Sequence, residues 1–115
     1  FGPSTLAVVC DRDEDMVEVA RSLAGQLTST LHAAPADEAL AARLAPELTE
    51  RSGRLLYGGY PTGVEVSPAM VHGGPWPASS DARFTSVGTA SIRRFLRPVC
   101  WQNAPQSALP PELRD

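Results

Sequence analysis

The sequence contains no lysine, because all ten of its basic residues are arginine. This absence excludes a Schiff-base site, which needs a lysine amine, and a P-loop, whose lysine contacts nucleotide phosphates. The formal net charge is −3, and a negative chain is a poor match for nucleic acid or for an anionic membrane surface. We therefore expect neither of these as a partner.

Cysteine and histidine are also scarce, with only Cys10, Cys100, His32 and His72 in the chain. None of them shows the spacing of a ligand pair such as C-x2-C or H-x3-H, so the sequence predicts no metal site. Two cysteines do not make a secreted disulfide scaffold, although the sequence allows a disulfide between them. We interpret both as structural residues rather than nucleophiles.

The sequence lacks a signal peptide and an apolar run of membrane length, which favours a cytoplasmic, soluble protein. A length of 115 residues with 43% hydrophobic and 20% charged residues is typical of one globular domain. The chain opens on a strand-like run without an initiator methionine, and we interpret it as a piece of something longer.

The order of apolar runs in the first half predicts an α/β fold with a β-α-β-α-β parallel sheet. Asp11 and Glu14 resemble a capping box for the first helix, and Gly25 is placed to end that helix in a left-handed conformation. Pro46 should break or kink the second helix. The predicted strands are Ser4–Cys10, Gln26–Ala33 and Gly53–Gly59; the first helix has its apolar face at Met16, Ala20, Leu23 and Ala24, and the second begins at Asp37–Leu44.

The second half is predicted to be irregular from Tyr60 to Val87, which includes the loop "MVHGGPWPASSD" at Met70–Asp81. So long a segment without regular structure indicates either a functional loop or an element that the pattern fails to reveal. A last helix is predicted at Gly88–Leu96, and it is followed by a strand at Pro98–Asn103. We divide the chain into residues 1–97, a terminal strand at 98–103 and a proline-rich tail at 104–115.

The first strand-to-helix turn argues against a complete dinucleotide site within this chain. That site needs glycines whose backbone N–H groups can approach a pyrophosphate. The turn here is "DRDED", Asp11–Asp15, and its four acids would repel phosphate. The chain also lacks the Gly-x-Ser-x-Gly elbow of a hydrolase.

Three segments resemble the C-terminal part of an aldehyde dehydrogenase. They are "FGP" at Phe1–Pro3, "GRLLYGGYPTGVEV" at Gly53–Val66 and "MVHGGPWPASSDARFTSVGTASIRRFLRPVCWQ" at Met70–Gln102. The resemblance extends from Phe1 to about Gln102 and is greatest to the bacterial branch that oxidises 2,5-dioxopentanoate (α-ketoglutaric semialdehyde) with NADP.

The resemblance implies an NADP- or NAD-dependent oxidation of an aldehyde to the carboxylate in a homo-oligomeric parent enzyme. A cysteine forms a thiohemiacetal, hydride passes to the nicotinamide, and activated water hydrolyses the thioester. The nucleophilic cysteine, the general-base glutamate and the dinucleotide-binding domain would all lie upstream, so no residue of this chain is predicted to be catalytic. The chain alone is predicted to be inactive.

The resemblance also implies roles for single residues. Phe1 would contact the nicotinamide ring, and the strand at 98–103 would pair with a sheet of a partner subunit. The other residues fall into two sets: Tyr60, Val64, His72, Gly73 and Gly74 for the substrate pocket, and Val99, Cys100 and Trp101 for the oligomer interface. A second hypothesis is a free-standing, non-catalytic assembly module of the same fold.

Overall fold

The computed structural model describes residues 2–115, in which the regular structure is concentrated between residues 13 and 57. The helices and strands are α1 (Asp13–Ser22), β1 (Gln26–Leu31), α2 (Glu38–Arg51) and β2 (Ser52–Tyr57), and short 3₁₀ helices lie at Pro35–Asp37, Thr89–Phe95, Gln106–Ala108 and Pro111–Leu113.

The two strands form a parallel pair that α2 connects. Gln26 lies opposite Ser52, and Leu31 lies opposite Tyr57. A parallel pair needs a crossover of this length, because the second strand must start at the same end as the first. This unit confirms the α/β class and the last three elements of the predicted order, β-α-β, but not the full β-α-β-α-β sheet.

A small core lies between α1, α2 and the sheet. It consists of Val17 and Ala20 from α1 and Leu44 and Leu48 from α2, all at least 92% buried. Each large aliphatic side chain buried here contributes about 1.5–3 kcal/mol relative to an exposed one. The apolar residues packed around these four are only partly buried: Leu31, Leu40 and Leu55.

The predicted start and end of α1 are wrong, and its predicted apolar face is correct only in part, at the buried Ala20. Arg12 precedes the helix without a side-chain cap, so the Asp11–Glu14 capping box does not form. The buried face is rotated, and Met16 and Leu23 each keep 40% exposure. Three acids still occupy the first turn, where the helix dipole favours negative charge.

Pro46 lies inside α2 and does not end it, contrary to the predicted break. Proline gives up one backbone hydrogen bond and costs about 3 kcal/mol in a helix interior. Leu44 and Leu48 on either side of it are buried, and this tertiary packing explains why the helix continues to Arg51.

The predicted first strand, Ser4–Cys10, is wrong: the segment has no regular structure. Leu6 is 89% exposed and Val9 is 90% exposed. An apolar run becomes a strand only when a neighbouring backbone supplies hydrogen bonds, and no described residue supplies them to this segment.

The C-terminal elements also differ from the prediction. A 3₁₀ helix at Thr89–Phe95 replaces the predicted helix, and Pro98–Asn103 forms no strand in the single chain. The segment was predicted to pair with a sheet of another subunit, and within this chain it pairs with neither β1 nor β2.

The chain is extended in outline, with a radius of gyration of 20.5 Å, against about 13 Å for a compact domain of this length. None of the helices within residues 2–115 combines the length and the apolar composition that a membrane span requires.

Candidate functional site

The loop 70–81, which we call the Gly-Pro loop, rests its backbone on the starts of both strands. A Cβ atom placed on Gly53 would lie 2.0 Å from the carbonyl oxygen of Gly73, and one on Gly74 would lie 2.3 Å from that of Gln26. One on Gly25 would lie 2.3 Å from the carbonyl oxygen of Pro75. Any side chain at these positions would therefore displace the loop from the sheet.

This contact corrects the role predicted for Gly25. The residue does not adopt the left-handed conformation expected at a helix end, and α1 ends at Ser22 with Leu23 as its cap. A glycine is required there because the loop approaches its Cα so closely.

The tip of the Gly-Pro loop is closed by its own hydrogen bonds. The backbone N–H of Ala78 donates to the carbonyl oxygen of Pro75 at 2.8 Å, and the hydroxyl of Ser79 donates to the carbonyl oxygen of Gly74. The Trp76–Pro77 peptide bond is cis. The Trp76 side chain is 77% exposed, so the backbone rather than the indole forms the packed surface of this loop.

The residues that follow the loop fix the position of His72. The backbone N–H of His72 donates to Oγ1 of Thr85 at 2.7 Å, and the Ser86 N–H donates to the His72 carbonyl oxygen at 3.1 Å. Oγ1 of Thr85, a buried residue, donates in turn to the carbonyl oxygen of Val87 at 2.8 Å. His72 is therefore fixed through its backbone.

The Ser86 hydroxyl contacts both the backbone and the ring of His72. It donates to the His72 carbonyl oxygen at 2.8 Å, and its oxygen lies 3.1 Å from Nδ1 of the ring. The ring is therefore held beside Ser86 as well as the backbone.

A cavity of about 440 Å³ opens beside this arrangement, which is within the usual size range of small-molecule sites. His72 and Gly73 contribute to its wall, as do serines and aromatic and charged residues from the segments that follow. The complete wall consists of Leu27, His72, Gly73, Ala78, Ser79, Ser80, Asp81, Phe84, Thr85, Ser86 and Arg94.

The carboxylate at the wall, Asp81, is paired with Arg83. Nε and Nη2 of Arg83 donate to the two carboxylate oxygens at 2.9 and 2.6 Å, and the Arg83 backbone N–H donates to Oδ1 at 3.0 Å. The hydrogen bonds from the Arg83 side chain, and then the one from its backbone, lower the pKa of Asp81 to about 2. Asp81 is therefore ionised and locally neutralised at physiological pH.

The residues predicted for the substrate pocket do not all meet at this cavity. His72 and Gly73 line it, whereas Gly74 is buried against β1. Tyr60 is 77% exposed, with its ring 5.6 Å from that of His32. Val64 is 42% exposed and does not line the cavity.

The remaining predicted residues lie away from the cavity. Val99, Cys100 and Trp101 are exposed, and Phe1 lies outside the described residues. Cys10 and Cys100 are both free thiols, so no disulfide joins them. No group of three or more potential metal ligands is present among residues 2–115.

Sequence reasoning missed Ser79, Thr85 and Arg94 as parts of the wall. Serine, threonine and arginine show no distinctive spacing in an irregular segment. Whether such a residue lines a cavity depends on how the chain folds around it. The "SSDARFTS" run at Ser79–Ser86, which is rich in hydroxyl groups, was the signal available.

Comparison with known proteins identifies relatives over the whole chain. No family model matches it. It is 52% identical over 115 residues to the alpha-ketoglutaric semialdehyde dehydrogenase of Acinetobacter baylyi. It is also 52% identical over 115 residues to alpha-ketoglutaric semialdehyde dehydrogenase 2 of Azospirillum brasilense.

Both alignments cover 100% of this chain but 22% of the relative, so the chain spans about a fifth of the length of the curated relatives it matches. The resemblance predicted from the motifs is confirmed by this identity. The chain belongs to the aldehyde dehydrogenase family.

Proposed function

We propose that this chain is the C-terminal part of the catalytic domain of an NAD(P)-dependent aldehyde dehydrogenase, and that the full-length enzyme oxidises 2,5-dioxopentanoate to the carboxylate. The observation that carries the proposal is 52% identity over the whole chain to two proteins named for oxidation of this aldehyde. Both relatives carry the name of an enzyme, which does not favour the alternative of a non-catalytic assembly module.

The contribution of the chain is to form a substrate-side wall. The Gly-Pro loop rests on the sheet through backbone contacts, and His72 is fixed to Thr85 and Ser86. A wall held in this way keeps a bound aldehyde in one orientation, and loose orientation of reactants lowers the rate. His72 and Gly73 are the residues of the predicted pocket that line the cavity.

The described residues do not offer a fitting site for the cofactor phosphates. The start of α1 carries Asp13, Glu14 and Asp15 in its first turn, and like charges there oppose a pyrophosphate. The cofactor, NADP or NAD, supplies the hydride acceptor when bound. We assign its binding mainly to the rest of the protein, and a contact from Phe1 remains part of the proposal.

Neither cysteine has the surroundings of an activated nucleophile. No hydrogen bond joins Cys10 or Cys100 to a basic side chain within residues 2–115. The proposal therefore places the nucleophilic cysteine and the general-base glutamate outside this chain. The 115-residue chain alone should oxidise no aldehyde.

The proposed homo-oligomer uses the exposed segment 98–103. Val99 is 56% exposed and Trp101 is 47% exposed, and they are two residues apart, so they would share one face of a strand. We propose that this segment forms a strand when the edge of a partner subunit's sheet supplies hydrogen bonds.

The test uses the full-length protein with 2,5-dioxopentanoate and either NADP or NAD, and follows reduced nicotinamide by its absorbance. We expect turnover by the full-length protein and none by the chain alone. Absence of aldehyde oxidation by the full-length protein would refute the enzyme proposal, and turnover by the chain alone would refute the placement of the catalytic groups.

A further inference from the structure

The side chain of Arg54 in β2 joins two points of the irregular segment that leads to the candidate site. Its Nη1 atom donates to the carbonyl oxygen of Gly63 at 2.9 Å. The same atom lies 3.7 Å from Sδ of Met70, which is a weak acceptor. Since Nη1 carries two N–H groups, one atom serves both contacts, and the chain from residue 63 to residue 70 is closed against the strand.

No other group of the sheet holds this segment by a hydrogen bond. The backbone hydrogen bonds of residues 59–70 either stay within the segment or come from Thr89. Among residues 2–115, the contacts of Arg54 are the only hydrogen bonds that join residues 59–70 to β1 or β2. The attachment of the segment to the sheet therefore depends on this one side chain.

The position of His72 depends on the same strand. His72 follows two residues after Met70, which Arg54 contacts. On its other side is Gly73, whose carbonyl oxygen closely approaches Gly53. Consecutive residues of β2 thus hold the chain on both sides of the histidine, one by a charged side chain and the other by close backbone contact.

Stability alone does not account for an arginine at position 54. The Nε atom of Arg54 is buried and has no hydrogen-bond partner among residues 2–115, and a buried donor without an acceptor opposes folding. The contacts of Nη1 offset this cost. They act on the segment before His72 rather than on the core between the helices and the sheet.

We infer that Arg54 is a positioning residue for the candidate site: it ties Gly63 and Met70 to β2 and thereby keeps His72 in the cavity wall. Arg54 does not itself line the cavity, so it acts through the segment that it holds. The inference goes beyond the proposed function, and only its kinetic test rests on that function.

Arg51 provides a matched control. Its Nε atom donates to the carbonyl oxygen of Arg21 at 2.8 Å, and its Nη1 atom donates to that of Glu47 at 3.1 Å. Like Arg54 it is partly buried and bonds to backbone carbonyl groups, but its contacts lie on the helices and it does not line the cavity. Methionine is the replacement at both positions, because it keeps an unbranched apolar stem and removes the donors.

The first experiment measures kcat and KM of the full-length protein for 2,5-dioxopentanoate, together with the unfolding midpoint. A misplacement of about 1 Å far from the chemistry can cost about 100-fold in rate. We expect Arg54→Met to lower kcat by about 10- to 100-fold with a smaller change in KM. Arg54→Lys should restore part of the rate, because its ammonium can donate to the carbonyl oxygen of Gly63.

Arg51→Met should lower the unfolding midpoint but leave kcat as in the wild type. An unchanged kcat in Arg54→Met, or an equal loss in Arg51→Met, would overturn the inference, since Arg54 would then have a merely structural role. Arg54→Lys keeps this test informative if the methionine variant does not fold.

A second measurement does not depend on turnover. Hydrogen exchange is followed by mass spectrometry in peptides that cover residues 59–73 of the full-length proteins. Loss of a charged hydrogen bond should make exchange there about 10-fold faster or more in Arg54→Met, and Arg51→Met should leave it unchanged. If the wild type oxidises no aldehyde, the proposed function fails and exchange still decides the inference: unchanged exchange in Arg54→Met, or the same increase in both variants, overturns it.

Discussion

The Cα of Gly53 in β2 and the carbonyl oxygen of Gly73 in the Gly-Pro loop approach so closely that a Cβ on Gly53 would lie 2.0 Å from that oxygen. Any residue other than glycine at position 53 would move the loop or the strand. The relationship ties the wall of the candidate site directly to the sheet and leads to the first prediction.

We expect Gly53→Ala to destabilise the full-length protein by about 1–3 kcal/mol, the usual cost of inserting a methyl group into packed structure. The matched control is Gly63→Ala, because a Cβ at Gly63 meets nothing within 4 Å and its backbone is not left-handed. Chemical denaturation monitored by circular dichroism measures both. Equal stability of the two variants would show that the loop does not rest on β2.

A second prediction concerns the contact between Thr85 and His72. Thr85→Val keeps the shape but removes the acceptor for the His72 N–H and the donor to the carbonyl oxygen of Val87. Thr85 is 6% exposed, and leaving buried polar groups unsatisfied costs about 1–3 kcal/mol.

Thr62→Val is the control for this substitution, since Thr62 is exposed and its hydroxyl bonds to no described residue. Urea denaturation of the full-length protein should show a lower midpoint for Thr85→Val than for Thr62→Val. The same midpoint in both variants would contradict the assigned role of Thr85.

The pair Asp81–Arg83 predicts a pH dependence in the acid range. The pKa of Asp81 is lowered from 3.8 to about 2, first by the side-chain hydrogen bonds from Arg83. A group with a lowered folded pKa stabilises the fold above its unfolded pKa and loses that contribution as the pH falls through the folded value.

Wild type should therefore exceed Asp81→Asn in stability above pH 3.8, and the difference should vanish as the pH falls to about 2. Arg83 keeps 80% side-chain exposure, so the effect is small and weakened by salt. The unfolding midpoint of both variants is measured across this range. A difference that does not change with pH would contradict the assignment.

A fourth prediction concerns the oligomer. Deleting residues 98–115 from the full-length protein should yield smaller species in light scattering, because the strand proposed to pair between subunits is removed. The helical signal in circular dichroism should persist, since α1 and α2 end before residue 52. Deleting only the tail, 104–115, is the control and should leave the assembly intact. Full assembly after the longer deletion would contradict the proposed interface.

The elements predicted correctly from sequence are those whose determinants are local. The helical pattern of α2 and the apolar character of β1 and β2 lie within the segments themselves. The rotated face of α1 could not be predicted from its sequence, because Met16 and Val17 are both apolar and only packing against α2 selects Val17.

The differences between prediction and structure at the two ends of the chain have another cause. Ser4–Cys10 and Pro98–Asn103 have the composition of strands, but a strand depends on a neighbouring backbone that composition does not reveal. The candidate site likewise depends on contacts between segments that are distant in sequence. His72 and Gly73 were predicted through the resemblance, whereas Arg94 enters the wall only because the chain returns to it in three dimensions.

The contacts at Gly25, Gly53 and Gly74 have a consequence for how this wall can vary. The loop is aligned with the sheet at positions that carry no side chain, so the alignment is insensitive to side-chain identity at the loop tip. Because Trp76 is exposed, we expect its exchange for another residue to leave His72 in place. The sequence of the tip can thus diverge while the glycines preserve the frame that holds the histidine.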